Sequence, residues 1–210
     1  MTDEEGVIKY QLDFVLAEPP HLSQIQEINN WRTLLYQMQL IGQDNNRYGG
    51  LGYGNISCRV PGTDQFIVTG TQTGAEPQLD PDDYCVVTAC DVEANALSAK
   101  GKLKPSSEAI THGAIYQYDP GVNVVIHVHC PEIWRCADAL RLQKTGDQTA
   151  YGTPELAHEI KALFAENRFT REALFIIPGH EDGVIAFGET AEQAGHQIVT
   201  ILASAIQNFK

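Results

Sequence analysis

The stretch Val124–Cys130, VVIHVHC, places two histidines inside an apolar run. On a β-strand residues i and i+2 project from one face, so His127 and His129 stand side by side while Ile126 and Val128 face the other way. Neutral imidazole binds Zn²⁺ at ~2.0–2.1 Å, and a strand fixes the convergence of two such nitrogens. The pair is also compatible with two hydrogen-bonded, partly solvated histidines at a strand end. A catalytic zinc takes about three protein ligands and keeps one position open. His180, in PGHEDG, is the best third candidate. His112 competes, because it lies one helical turn after Glu108 and so on the same face. His21, His158 and His196 fall on or beside amphipathic helices and read as surface or boundary residues.

Glu108 follows Ser106-Ser107 at a helix start. A carboxylate there either complements the helix dipole or serves as a general base beside a metal. The glycine-rich pieces GYGNIS (52–57) and TGTQTG (69–74) are turns, or offer N–H groups and hydroxyls to an anion. Neither has the spacing of a P-loop or of a dinucleotide fingerprint, which excludes nucleotide folds.

The elements that must position these groups follow from periodicity. Apolar residues at Leu22, Ile25, Ile28, Leu35, Met38 and Ile41 predict an amphipathic helix over 22–41. Short β-runs follow at Ile56–Val60, Gln65–Thr69 and Tyr84–Ala89. A helix starts near Ser106 as N-cap, with Glu108 in its first turn. A strand over Val122–His129 and a helix over Pro131–Leu142 come next. Thr153 caps a further helix with Pro154 at its first position. Leu174–Ile177 and Gly183–Phe187 form a hairpin around His180, and a Thr190–Gln193 capping box opens the last helix. The order α-β-β-β-α-β-α-α-β-β-α predicts an α/β fold whose close β–β links favour antiparallel pairing. Residues 1–20, acidic and ending in Pro19-Pro20, read as an N-terminal arm, and residues 21–210 as one domain.

Composition bounds the function. A formal net charge of −13 repels nucleic acid and anionic membranes, so neither is an expected partner. No apolar run approaches the ~20 residues of a membrane span, and the acidic start has no signal-peptide pattern. The cysteines (Cys58, Cys85, Cys90, Cys130, Cys136) are odd in number without CxxC spacing, which suits free thiols in a cytoplasmic setting.

Taken in order, GNIS, VTGTQTG, KPSSE, a helix, IHVHC and PGHEDGVIAFGETAEQA resemble the class II aldolase/adducin family over roughly residues 34–205. The resemblance implies a three-layer α/β/α domain around a largely antiparallel sheet, a divalent metal, commonly Zn²⁺, and a homotetramer. It implies His127, His129 and His180 as metal ligands, and Glu108 as the carboxylate that holds the metal and moves the proton. It implies Asn55, Thr73, Gly74, Ser106 and Ser107 as the cradle of a substrate phosphate. Two departures are visible. Glu181 and Asp182 separate His180 from Gly183, where the family's histidine is often followed directly by glycine. The family's aldolases carry a tyrosine after the paired histidines, whereas residues 130–150 contain none.

The activity so implied is that of a metal-dependent aldolase-type lyase working through an enediolate on a small hydroxy-carbonyl compound, such as a phosphorylated sugar. The same intermediate serves a sugar-phosphate dehydratase or epimerase. An adducin-like interaction domain without catalysis is the alternative from another class, although a scaffold has no need of three converging imidazoles and a carboxylate.

Overall fold

A computed structural model describes residues 7–166, 169 and 172–208. Its elements run β1 (Gln11–Leu16), α1 (Leu22–Gln37), β2 (Gly42–Gln43), β3 (Gly52–Tyr53), β4 (Asn55–Arg59), β5 (Phe66–Thr69), β6 (Tyr84–Asp91) and β7 (Ala96–Gly101). They continue α2 (Ala109–Tyr118), β8 (Val124–His129), α3 (Pro131–Arg135), α4 (Ala137–Leu140), β9 (Gln143–Lys144), α5 (Pro154–Ala165), β10 (Leu174–Ile176), β11 (Gly183–Gly188) and α6 (Ala191–Asn208). Nine strands form one sheet in the order β1-β7-β6-β5-β4-β8-β11-β10-β9. Only the two edge pairs, β1 with β7 and β9 with β10, are parallel. The expected α/β/α layering around a largely antiparallel sheet is what the chain adopts.

Strand alternation builds the two faces. Ile56, Ile126, Val128 and Val184 pack under Ile25, Ile28 and Leu35 of α1 and Ile198 of α6. Phe66, Val68, Val125 and Ile185 pack under Ile110 and Ile115 of α2 and Leu156 and Ile160 of α5. His127 and His129 lie on this second face, where every residue of β8 is buried. A fully buried strand flanked by β4 and β11 holds its side chains in one arrangement.

Several boundaries shift. β1, within residues 1–20, joins the same sheet as its edge strand; residues 1–6 lie outside the described residues. α1 stops at Gln37, and Gln39 takes a left-handed φ of 60°. The helix expected over 131–142 is two short ones broken at Cys136. The Thr153 hydroxyl accepts from Leu156 N at 3.3 Å, as a cap should. Thr190 likewise accepts from Gln193 N at 3.1 Å, but the Gln193 side chain reaches Glu189 N rather than closing on Thr190.

The start of α2 departs from expectation in a way that matters. The helix begins at Ala109, one residue after Glu108, so Glu108 is its N-cap rather than a first-turn residue. Its side chain makes no capping hydrogen bond. Ser106 accepts from Glu108 N at 3.4 Å, capping only the preceding turn. The carboxylate is left free to point elsewhere.

Candidate metal centre

The freed carboxylate points at the histidines. Glu108 Oε1 lies 3.0 Å from His127 Nε2, and Oε2 lies 3.8 Å from His180 Nδ1. With His129, the ligand atoms of these four residues all fall within 4.8 Å of one another. Three elements deliver them. β8 supplies His127 and His129, the turn before α2 supplies Glu108, and the β10–β11 turn supplies His180. That turn is fixed by hydrogen bonds from His180 N to Ile177 O (3.0 Å) and from Gly183 N to His180 O (2.9 Å). Exposure is at most 5% for any of the four.

The donor set fits a cation. His127 Nδ1 hydrogen-bonds to the Val184 carbonyl at 3.2 Å, which makes Nδ1 the protonated nitrogen and leaves the Nε2 lone pair facing Glu108. With the ring neutral, two acceptors, an imidazole lone pair and a carboxylate oxygen, face each other at 3.0 Å in a buried pocket. Glu108 Oε2 is buried without a hydrogen bond. Such an arrangement is unfavourable unless a positive charge, a proton on the imidazole or a metal ion, sits between them. Burial pushes the Glu108 carboxyl up, but positive charge carried on the His127 and His180 side of the cluster outweighs it and holds the carboxyl below the usual carboxylate range. Burial, reinforced by His180 and His127, pushes His129 well below the usual histidine range and keeps it neutral, as a ligand must be.

His112 stays out of the cluster. It is fully buried, and its Nδ1 shares a 2.7 Å hydrogen bond with Ser57 Oγ. Burial takes its pKa down to about 3. Of the remaining histidines, His21 caps α1, His158 pairs with Glu93 at 2.9 Å on the surface, and His196 packs edge-on against Trp31.

A narrow cleft adjoins the cluster, lined by Asn55, Thr73, Gly74, Ser106, Ser107 and Glu108 among others. All five residues expected to meet an anion therefore come together beside Glu108. Asn55 sits directly across from His127 in the β4–β8 register, and its Oδ1 is buried without a hydrogen bond. Gly74 must be glycine. A Cβ there would lie 2.6 Å from Gly52 Cα and would also strike the Gly42 carbonyl. Behind the loop, buried Arg32 donates to the carbonyls of Thr73 (2.9 Å) and Glu76. Among the described residues no Lys or Arg lines the cleft, so an anion there meets hydroxyls, amides and the start of α2.

Sequence reasoning missed the aromatic wall. Tyr48 packs its ring 4.3 Å from that of His129, and Tyr151 lies 4.8 Å from His180. Tyr53 is also near His129, at 5.4 Å between centroids. The available signal was two tyrosines set among glycines in RYGGLGYGN, and Tyr151 directly after the tyrosine-free stretch 130–150.

The family described as Class II Aldolase and Adducin N-terminal domain matches residues 43–207. A methylthioribulose-1-phosphate dehydratase of Leptospira biflexa is 30% identical over 109 residues, 51% of this chain and 47% of that protein. A protein of Mycoplasma pneumoniae named "Probable L-ribulose-5-phosphate 4-epimerase" is 30% identical over 77 residues, 37% of this chain and 30% of its own. These matches thus span less than half the length of either relative. The crystal structure of L-fuculose-1-phosphate aldolase from Thermus thermophilus superposes with a TM-score of 0.63 at 18% identity, covering 90% of this chain and 94% of that one. At that identity the likeness speaks for the fold. Match and fold together establish that the chain belongs to the class II aldolase and adducin N-terminal domain family.

Proposed function

We propose that this chain is a metal-dependent aldolase-type lyase acting on a small hydroxy-carbonyl compound that carries a phosphate. One observation carries the reading: Glu108 belongs both to the buried His127–His129–His180 cluster and to the adjoining cleft. A proton-moving carboxylate is thereby set between a cation site and an anion site. His127, His129 and His180 would hold the cation, with Glu108 in or beside the same shell, and Zn²⁺ suits three imidazoles. When bound, the ion supplies Lewis acidity to a carbonyl. The chain's own residues do the rest. Ser106, Ser107, Thr73, Gly74 and Asn55 seat the phosphate, and Glu108 exchanges a proton with the carbon next to the carbonyl.

An enediolate is common to the candidate reactions: proton removal at that carbon forms it ahead of dehydration, whereas in cleavage it forms as the carbon–carbon bond breaks and Glu108 then returns the proton to that carbon. Cleavage is the leading reading. Dehydration is the second, favoured by the similarity to a dehydratase over 109 residues. A non-catalytic, adducin-like role is disfavoured by the cost of burying a carboxylate among imidazoles with no task for them. A homotetramer and a cytoplasmic location belong to the same proposal. Among the described residues, no helix is long and apolar enough to cross a membrane.

The test is metal analysis of the purified protein together with a screen of L-fuculose 1-phosphate, methylthioribulose 1-phosphate and L-ribulose 5-phosphate. About one equivalent of divalent metal and consumption of a phosphorylated ketose support the enzyme. Metal-free protein that consumes none of the three supports the scaffold instead.

A further inference from the structure

Two residues beside the candidate metal centre take a left-handed backbone, which aspartate tolerates and tyrosine does not. Tyr48 has φ 48° and Asp182 has φ 61°, both in the left-handed region. A bulky aromatic residue there is uncommon and persists only where its surroundings over-determine it. The two are 134 residues apart in sequence, yet Tyr48 Oη donates to Asp182 Oδ2 at 2.7 Å. Arg47 Nη2 donates to the same Oη at 2.6 Å. Gly49 and Gly50 follow with φ 67° and 79°, which lets the loop turn tightly beyond Tyr48. On the other side, Asp182 O accepts from Cys130 N at 2.8 Å, tying it to the end of β8.

This pair places the Tyr48 ring beside the cluster. The Tyr48 ring lies against His129, whereas Glu108 contacts His127 and His180, so phenol and carboxylate flank the cluster on different histidines. The four cluster residues are buried, while Tyr48 is half-buried. A hydroxyl gripped by a guanidinium on one side and a carboxylate on the other is more than ring packing requires.

We propose that Tyr48 is a catalytic residue, oriented by Arg47 and Asp182, whose hydroxyl meets the substrate oxygen one carbon beyond the site of proton removal. This rests on the function proposed above. Glu108 takes the proton from the carbon beside the carbonyl. In dehydration the next carbon–oxygen bond then breaks, and the leaving oxygen takes the Tyr48 proton and departs as water. In the aldol direction a carbon–carbon bond forms instead, and the aldehyde oxygen takes that same proton; cleavage is the reverse. For that step Tyr48 exchanges its Asp182 acceptor for the substrate oxygen. The phenolate left behind is balanced by Arg47 and regains a proton from solvent, while Glu108 releases its own.

The experiment separates the carbon step from the oxygen step. Tyr48→Phe and Arg47→Met are compared with wild type for metal content, for exchange of dihydroxyacetone phosphate protons in D₂O, and for turnover of whichever of the three ketose phosphates wild type consumes. The expected result for Tyr48→Phe is unchanged metal, exchange within about threefold of wild type, and turnover lower by ~10²–10⁴-fold. Arg47→Met should show the same split to a smaller degree. Equal losses in exchange and turnover, or wild-type turnover in Tyr48→Phe, overturn the assignment. Wild-type protein that neither exchanges nor turns over any probe defeats the proposed function itself, and Tyr48's role with it.

Discussion

Replacing Glu108 by Gln keeps the side-chain volume and removes the proton acceptor. The structure sets the competing expectations far apart. Were Glu108 merely complementing the dipole of α2, the change would cost ~0.3–1 kcal/mol of stability and leave kinetics alone. Yet its side chain makes no capping hydrogen bond and lies 3.0 Å from His127 Nε2, so the cap term of ~1 kcal/mol is not there to lose. Loss of general acid–base catalysis instead lowers the rate by ~10²–10⁴-fold. At about 1.36 kcal/mol per decade, that is roughly 3–5 kcal/mol on the barrier. Exchange of dihydroxyacetone phosphate protons with D₂O, followed by NMR, reports the carbon step whichever product follows. Metal content measured on the same sample excludes simple loss of the ion. Wild-type exchange in Glu108→Gln at full metal content would refute the reasoning and place the base elsewhere.

Two further outcomes test the surroundings. Gly74→Ala forces a Cβ into Gly52 and the Gly42 carbonyl, an overpacking of ~1–3 kcal/mol. Because Arg32 pins the loop from behind, the displacement falls on the cleft. Affinity for inorganic phosphate, measured calorimetrically, should fall about tenfold or more with metal content intact, and unchanged affinity would contradict the cradle. His112 tests the core. Burial lowers its folded pKa to about 3, so as pH falls through ~6.5 the unfolded chain takes up a proton first and stability declines. The slope from this group approaches about 1.4 kcal/mol per pH unit between there and pH 3. Urea unfolding of chelated protein at pH 7 and pH 5 should show a smaller loss in His112→Asn; an equal loss would place the titrating group elsewhere.

Much of the site was legible because its signals are local. The i, i+2 spacing of His127 and His129 needs only a strand, and the Pro154 and Thr190 helix starts need only their own first turns. The misses have physical reasons. β1 is an edge strand with much of its length exposed, so QLDFVL carries little of the apolar patterning that marks a buried strand. β7, ALSAKG, is built largely of small residues with weak strand preference. Ser106 satisfies N-cap statistics and Glu108 first-turn statistics, and only the tertiary fold decides where the carboxylate points. The Arg47–Tyr48–Asp182 contact joins residues brought together by the fold alone, and no window along the chain can contain it.

The central claim is that three imidazoles and one carboxylate hold a single ion. Elemental analysis of wild type and of the His127→Ala/His129→Ala double variant, both reconstituted with Zn²⁺ and then desalted, tests it most directly. The account predicts about one equivalent in wild type and almost none in the variant, since His180 and Glu108 alone do not complete a site. One equivalent retained by a folded double variant would contradict it.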